Sequence, residues 1–211
     1  MEQLSEFKQT WWDNNQARFD EFNSWIGDKN AESKVFCRNL IKNNKYLSLL
    51  DIGCGPASEF DGYAEEYPEL QYLGVDSCKY LYDMNVTRGV PMILSDATHI
   101  PVEDSSVDVA FSRHVLEHQP SFESMLTEMI RIGKKAAIHV FYKTPTEAEY
   151  ITYISGENLY DNHYSINKIE TFLTQQIKVL DFNWLKVNDI ETVLWINLDE
   201  TKINKVLFVH N

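Results

Sequence analysis

Apolar residues change their spacing repeatedly along the chain, and each change marks an element. Over residues 3–44 they recur at helical intervals. Phe7, Trp11, Trp12, Phe19, Phe22, Trp25 and Ile26 make a first stretch, and Gly27-Asp28 interrupts it. Val35, Phe36, Leu40 and Ile41 then form the inward face of a second helix over residues 31–42. Residues 46–50 are a short apolar run that ends at Asp51 and meets Gly53 and Gly55. That is the pattern of a buried strand entering a tight turn. Residues 58–67 return to helical spacing, with Phe60, Tyr63, Ala64 and Tyr67 inward and Pro68 as the stop.

The alternation continues. Strands are predicted over residues 70–75, 91–94, 107–111 and 136–142, and the first three end at Asp76, near Asp96 and at Ser112. Helices are predicted over residues 78–87, 121–132 and 166–176, with Ser121 as the N-cap of the second. From residue 179 to 210, β-branched and aromatic residues dominate, with turn signals at Asn188-Asp189 and Asp199-Glu200. Strands alternating with helices imply an α/β fold, doubly wound, with a mostly parallel sheet covered on both faces. The tail adds an antiparallel C-terminal hairpin at one edge. Residues 1–45 read as a helical lid or cap, and residues 46–211 as the ligand-binding domain, with no repeat or linker between.

Composition narrows the partners. The chain has 211 residues, enough for a single core without a disulfide or metal staple. It carries 32 acidic against 19 basic residues, a net charge of −13, which repels nucleic acid and anionic lipid. The longest basic patch is Arg131 with Lys134 and Lys135. Cys37, Cys54 and Cys78 form no CxxC and no even framework, which fits a reducing cytoplasm. No signal peptide opens the sequence, and no run approaches the apolar length of a membrane span.

The stretch Leu49-Leu50-Asp51-Ile52-Gly53-Cys54-Gly55-Pro56-Ala57 carries the chemistry. Glycines after a buried strand let a ligand approach the backbone. Asp51 stands where a dinucleotide fold would place a pyrophosphate, which a carboxylate repels. A ligand with a cationic head suits it better, and S-adenosylmethionine carries an ammonium and a sulfonium without phosphate. Pro56 removes an N–H that a phosphate would want. Asp76, ending the next strand, can accept both hydroxyls of a ribose. Asp96 is placed to meet an adenine amino group. Any one of these could be a helix cap or a solvated loop residue. Three at successive strand ends, in register with a glycine turn, are hard to explain by packing.

LLDIGCGPA, LGVD, SDATHIPVEDSSVDVAFSRHVLEH and TEMIRI resemble class I S-adenosylmethionine-dependent methyltransferases, most closely the small type 11 methyltransferase-domain group. The resemblance is strong over residues 47–143 and implies a Rossmann-like sheet. It implies that Asp51, Gly53 and Gly55 line the methionine part of the cofactor, Asp76 the ribose, and Asp96-Ala97 the adenine. It places Ser112 and Arg113 under the transferable methyl. Ala57 stands where a third glycine is frequent, and Gly133-Lys134-Lys135-Ala136 replaces the usual Lys-Pro-Gly-Gly turn.

His114-Val115-Leu116-Glu117-His118 matches the H-x-x-E-H zinc pattern, but a short turn tucking Val115 and Leu116 into the core explains it better, and no metal site is predicted. His114 and His118 are instead candidate general bases for a hydroxyl acceptor. His139, mid-strand, reads as buried and hydrogen-bonded. Tyr142, His163 and Tyr164 are the next candidates, the last two in a polar loop over residues 161–164. No Asp/Asn-Pro-Pro-Tyr follows the fourth strand, which argues against a DNA-base acceptor. The acidic charge points to a small-molecule or glycan acceptor, with O-methylation of a sugar hydroxyl favoured. Methylation of a small amine and a non-catalytic methyltransferase-like binding domain remain the alternatives.

Overall fold

The computed structural model describes residues 11–16 and 26–199. Phe7, Phe19, Phe22 and Trp25 of the predicted cap lie outside the described residues. A helical turn, Trp11–Asn14, precedes the first full helix, α1 (Glu32–Asn43). Strand and helix then alternate: β1 (Ser48–Ile52), α2 (Ser58–Glu66), β2 (Gln71–Asp76), α3 (Lys79–Thr87), β3 (Met92–Leu94) and β4 (Val107–Arg113). A 3-10 turn, Leu116–His118, leads to α4 (Glu123–Ile132) and β5 (Gly133–Phe141). A small hairpin, β6 (Tyr153–Ile154) with β7 (Leu159–Tyr160), precedes α5 (Ile166–Thr171), and β8 (Phe182–Lys186) and β9 (Thr192–Asn197) close the chain.

The seven-stranded sheet has the order β3-β2-β1-β4-β5-β9-β8. β1 to β5 are parallel; β9 runs antiparallel to both β5 and β8. This is the doubly wound sheet with the antiparallel C-terminal hairpin that the sequence implies. The strands are apolar on both faces because both are covered. Leu50, Ile52 and Ala110 pack toward Met125, Leu126 and Met129 of α4, whereas Leu49, Val109 and Phe111 pack toward Cys37 and Ile41 of α1 and Tyr63 of α2. Chain order reverses between β1 and β4, so their carboxyl ends open a crevice, the position where such sheets bind ligands.

Three local expectations change. α4 starts at Glu123, with Phe122 rather than Ser121 at its cap and no side-chain cap bond. Phe122 is buried edge-on against Tyr164 and Phe172, so packing sets the helix entry. The buried stripe of α1 is Ser33, Lys34, Cys37, Arg38 and Ile41, while Val35, Phe36 and Leu40 are half-buried. Partners on α2 draw the polar residues inward: Arg38 pairs with Glu59 at 3.3 Å and Glu66 at 2.9 Å. Finally, α5 widens into a π turn over Phe172–Ile177 and stops at Lys178, whose φ is +62°.

Candidate cofactor and acceptor site

The glycine turn after β1 is fixed by the strand beside it. The Gly53 and Cys54 N–H groups donate to the Val75 carbonyl at 2.8 and 3.1 Å. Gly53 has φ +70°, and a Cβ there would lie 2.4 Å from Val115 Cγ2. Glycine is therefore required twice, by backbone conformation and by the close approach of the segment after β4. At Gly55, φ +56°, a Cβ would meet nothing within 4 Å, so this part of the turn faces open space. Ala57, where a glycine is frequent in the resembling group, holds φ +53° at the start of α2. The left-handed conformation costs a non-glycine residue about 1–2 kcal/mol, which the fold absorbs here.

Adjacent strands set the acidic residues in a row. Asp51 is buried at 3% exposure and accepts the Tyr72 hydroxyl at 2.7 Å. Burial, then the Glu59 carboxylate, pushes its pKa up to about 7. Asp76 accepts the Gly55 N–H at 2.9 Å and the Cys78 N–H at 2.8 Å, and burial pushes it up to about 6 despite those bonds. The Gly55 N–H, which a phosphate loop would offer to its ligand, is thus already spent on a carboxylate. Asp13, in the Trp11–Asn14 turn, accepts the Tyr80 N–H at 3.2 Å, which sets the N-terminal turn against the start of α3. Asp96 is exposed beyond β3 and accepts the Thr98 N–H and hydroxyl at 2.8 and 2.6 Å; Ala97 packs on the core beside it.

A raised carboxylate pKa gives a pH-dependent expectation. The native chain holds protons on Asp51 and Asp76 that the unfolded chain, near pKa 3.9, releases. These two groups therefore make the unliganded protein lose stability as pH rises from about 4 to about 7. A cationic ligand beside Asp51 favours the ionised form, so its binding should release protons near pH 6. Calorimetry with S-adenosylhomocysteine in buffers of different ionisation enthalpy should show that release; proton uptake would contradict it.

The end of β4 is built differently from its sequence. Ser112 is fully buried, in register with Ile52 and His139, and its hydroxyl finds no partner among the described residues. Arg113 turns to α1 and the β8–β9 loop, donating to Ser33 Oγ at 2.9 Å and Glu191 Oε1 at 3.0 Å. His114 adopts φ +58° and sets Nε2 2.9 Å from the same Glu191 oxygen. His118 Nδ1 lies 2.7 Å from the Tyr160 carbonyl. Each acceptor has only lone pairs to offer, so His114 carries its proton on Nε2 and His118 on Nδ1.

The two histidines share no helical face, because only Leu116–His118 is helical. They converge instead on Tyr142, with ring centroids 5.2 Å from His114 and 5.7 Å from His118. The Tyr142 hydroxyl donates to Asp161 at 2.5 Å, and burial, then Asp161, pushes the phenol far up, so it is no base. Tyr164 is buried and donates to the Gln119 carbonyl, and Asn162 beside it is fully buried. Residues 161–164 are therefore partly core rather than a polar loop. His139 is buried as expected but not hydrogen-bonded: its Nε2 lies 3.4 Å from Glu117 Oε2, out of line, and its ring meets the Phe141 edge.

A family profile described as a methyltransferase domain matches residues 50–141. Those residues run from β1 through the glycine turn to the end of β5. The match covers under half of the chain, and the sheet around it has the Rossmann-like methyltransferase fold. S-adenosylmethionine is the cofactor of this domain type, and the turn facing open space at Gly55, lined by carboxylates, fits its cationic head. A 37.1 kDa protein in a Streptomyces fradiae transposon is 31% identical over 91 residues, 40% of this chain and 26% of that protein. The sterol 24-C-methyltransferase of Schizosaccharomyces pombe is 22% identical over 140 residues, 56% of this chain and 36% of that enzyme. The chain thus spans about a quarter to a third of these relatives. The Burkholderia thailandensis 1,6-didemethyltoxoflavin-N1-methyltransferase, solved with 1,6-didemethyltoxoflavin and S-adenosylhomocysteine, shares the fold at TM-score 0.64 and 11% identity, over 90% of this chain and 88% of that one.

Within residues 50–141 Glu117 is committed to structure, since its Oε1 accepts the Tyr142 N–H at 2.8 Å. Among the described residues no group of three or more His, Cys, Asp or Glu is placed to hold a metal ion, and no helix is long and apolar enough to cross a membrane. Burial pushes the Cys37 and Cys54 thiols well above their ordinary range, which makes them poor nucleophiles. Sequence reading missed Lys34, Glu59, Tyr72 and Glu191. Lys34 and Arg38, one turn apart on the buried side of α1, carry a signal only in retrospect: two cations on the same buried stripe as Cys37 and Ile41 need buried partners opposite.

Proposed function

We propose that this chain transfers a methyl group from S-adenosylmethionine to a hydroxyl of a small-molecule or glycan acceptor, with sugar hydroxyls the first class to test. One observation carries the reading: two histidines of fixed tautomer flank Tyr142 at the end of β4, and the segment that holds them rests on the glycine turn through Val115. A hydroxyl must lose its proton as it attacks, and a neutral imidazole is suited to take it.

In this reading Asp51 faces the cofactor ammonium, Asp76 accepts the ribose hydroxyls, and Asp96 with Ala97 meets the adenine. Gly53 and Gly55 let the backbone approach. Ser112 and Arg113 contribute main chain beneath the methyl, since their side chains are turned elsewhere. Bound there, the cofactor supplies a methyl on a sulfonium that any aligned nucleophile can displace. His114 Nδ1 is the first candidate base and His118 Nε2 the second. Tyr142 forms the floor between them, its hydroxyl held by Asp161, which also takes Lys143, at 2.5 Å each. Burial lowers the His114 pKa, which keeps the ring neutral at pH 7.

Transfer of a tritiated methyl group, compared side by side over sugars and glycans, small amines and proteins, tests this reading. Label in hydroxyl acceptors is expected. Label confined to amines would make the chain an N-methyltransferase, and cofactor binding without any label would make it a binding domain.

A further inference from the structure

Glu191 belongs to no motif, yet it is the most heavily engaged acceptor at the site. It lies between β8 and β9, 7% exposed, far in sequence from the cofactor turn. Its Oε1 accepts three donors from two places in the fold: Ser33 Oγ of α1 at 2.7 Å, and, from the end of β4, Arg113 Nη2 at 3.0 Å and His114 Nε2 at 2.9 Å. Its Oε2 accepts the Asn188 amide at 3.0 Å, and its own N–H donates to Asn188 Oδ1 at 2.8 Å. A carboxylate held on both oxygens and at its backbone has no freedom to rotate.

We propose that Glu191 is the positioning residue of the methyl-transfer site, fixing His114 in the tautomer that leaves Nδ1 to take the acceptor proton. The inference rests on His114 as base, as proposed above. A structural tie between α1 and β4 would need only Ser33 and Arg113. The third donor is the imidazole, which reaches Glu191 from a backbone with φ +58°. Nδ1 makes no hydrogen bond among the described residues. As the proton passes from the acceptor O–H to Nδ1, the ring becomes imidazolium, and the Glu191 charge lies against it.

The charges facing His114 explain why the ring is neutral beforehand. Glu191 from the β8–β9 loop and Glu117 from the 3-10 turn raise its pKa. Burial and Arg113 from its own strand lower it, and burial is the largest of these, so the balance falls below the ordinary value. The Tyr142 phenol, held protonated by burial, adds no charge at neutral pH, and the His118 ring meets the same Tyr142 ring. Glu191 is ionised throughout the working range: although burial opposes it, bonds from His114, Ser33 and Asn188 hold its pKa down at about 2.

Glu191→Gln keeps the shape and one acceptor oxygen but removes the charge. Nitrogen-15 NMR of the full wild-type chain should show His114 with its proton on Nε2. In Glu191→Gln the His114 pKa should fall by about 1 unit or more, because an opposite charge in contact shifts a pKa by about 1–3 units. With the acceptor that takes label above, turnover should fall about 10²-fold and its acid limb should move to lower pH. S-adenosylhomocysteine affinity should be unchanged. A wild-type ring protonated on Nδ1, or a His114 pKa that Glu191→Gln leaves in place, overturns the inference, and the first outcome requires no folded variant. Full turnover in His114→Ala would instead remove the reading of His114 on which it rests.

Discussion

Alanine in place of His114 is expected to lower methyl-transfer turnover by roughly 10²–10⁴-fold, the usual contribution of a general base. Cofactor affinity should hardly move, because the ring points to Tyr142 and Glu191 rather than to the acidic row. The pH profile adds a second reading. A base must be neutral to accept a proton, so turnover falls as pH drops through its pKa. An unperturbed histidine would place that limb near pH 6.5. Burial, followed by the opposing bond from Glu191, leaves His114 below its ordinary value, so the limb should lie below pH 6.5. Steady-state rates of the wild type across pH, beside His114→Ala and His118→Ala, check both points. If both variants keep near-normal turnover, the base lies elsewhere or alignment alone suffices.

Asp76→Ala is expected to weaken S-adenosylhomocysteine binding by about 2–4 kcal/mol, since hydrogen bonds to a charged group are worth about 1.5–3 kcal/mol each. The structure enlarges that expectation. The same carboxylate accepts the Gly55 and Cys78 N–H groups, so the variant also loses the anchor of the glycine turn. A modest fall in thermal stability should accompany the loss of binding. Asp76→Asn retains one acceptor oxygen and should fall between. Titration calorimetry with thermal unfolding on the same samples separates the two effects. Unchanged affinity in a folded Asp76→Ala variant would remove Asp76 from the site.

What could be read in advance was local or periodic. Asp51 with the two glycines fixes a turn within one short segment, and apolar runs fix strands covered on both faces. Alternation of strand and helix implied a mostly parallel sheet covered on both faces, while the strand order is seen only in the fold. What stayed hidden depends on distant partners. Glu191 reaches Ser33, Arg113 and His114 only when the β8–β9 loop folds back over the end of β4. Lys34 and Arg38 look like solvated helix charges until Ser58, Glu59 and Glu66 of α2 stand opposite them. The β6–β7 hairpin is too short to show a period, and Ser121 satisfied a capping rule that the packing of Phe122 overrode. His114 and His118 were paired by spacing, but what unites them is the Tyr142 ring from the next strand.

The acidic row and the glycine turn are proposed to bind an adenosyl ligand with a cationic head and not a pyrophosphate. Titration calorimetry of the full chain with S-adenosylhomocysteine and, separately, with NAD tests it most directly. Saturable binding of S-adenosylhomocysteine with no heat from NAD is expected, because an ammonium beside Asp51 favours its carboxylate, a pyrophosphate there gains nothing from it, and the Gly55 N–H is already held by Asp76. Binding of NAD without binding of S-adenosylhomocysteine would contradict it.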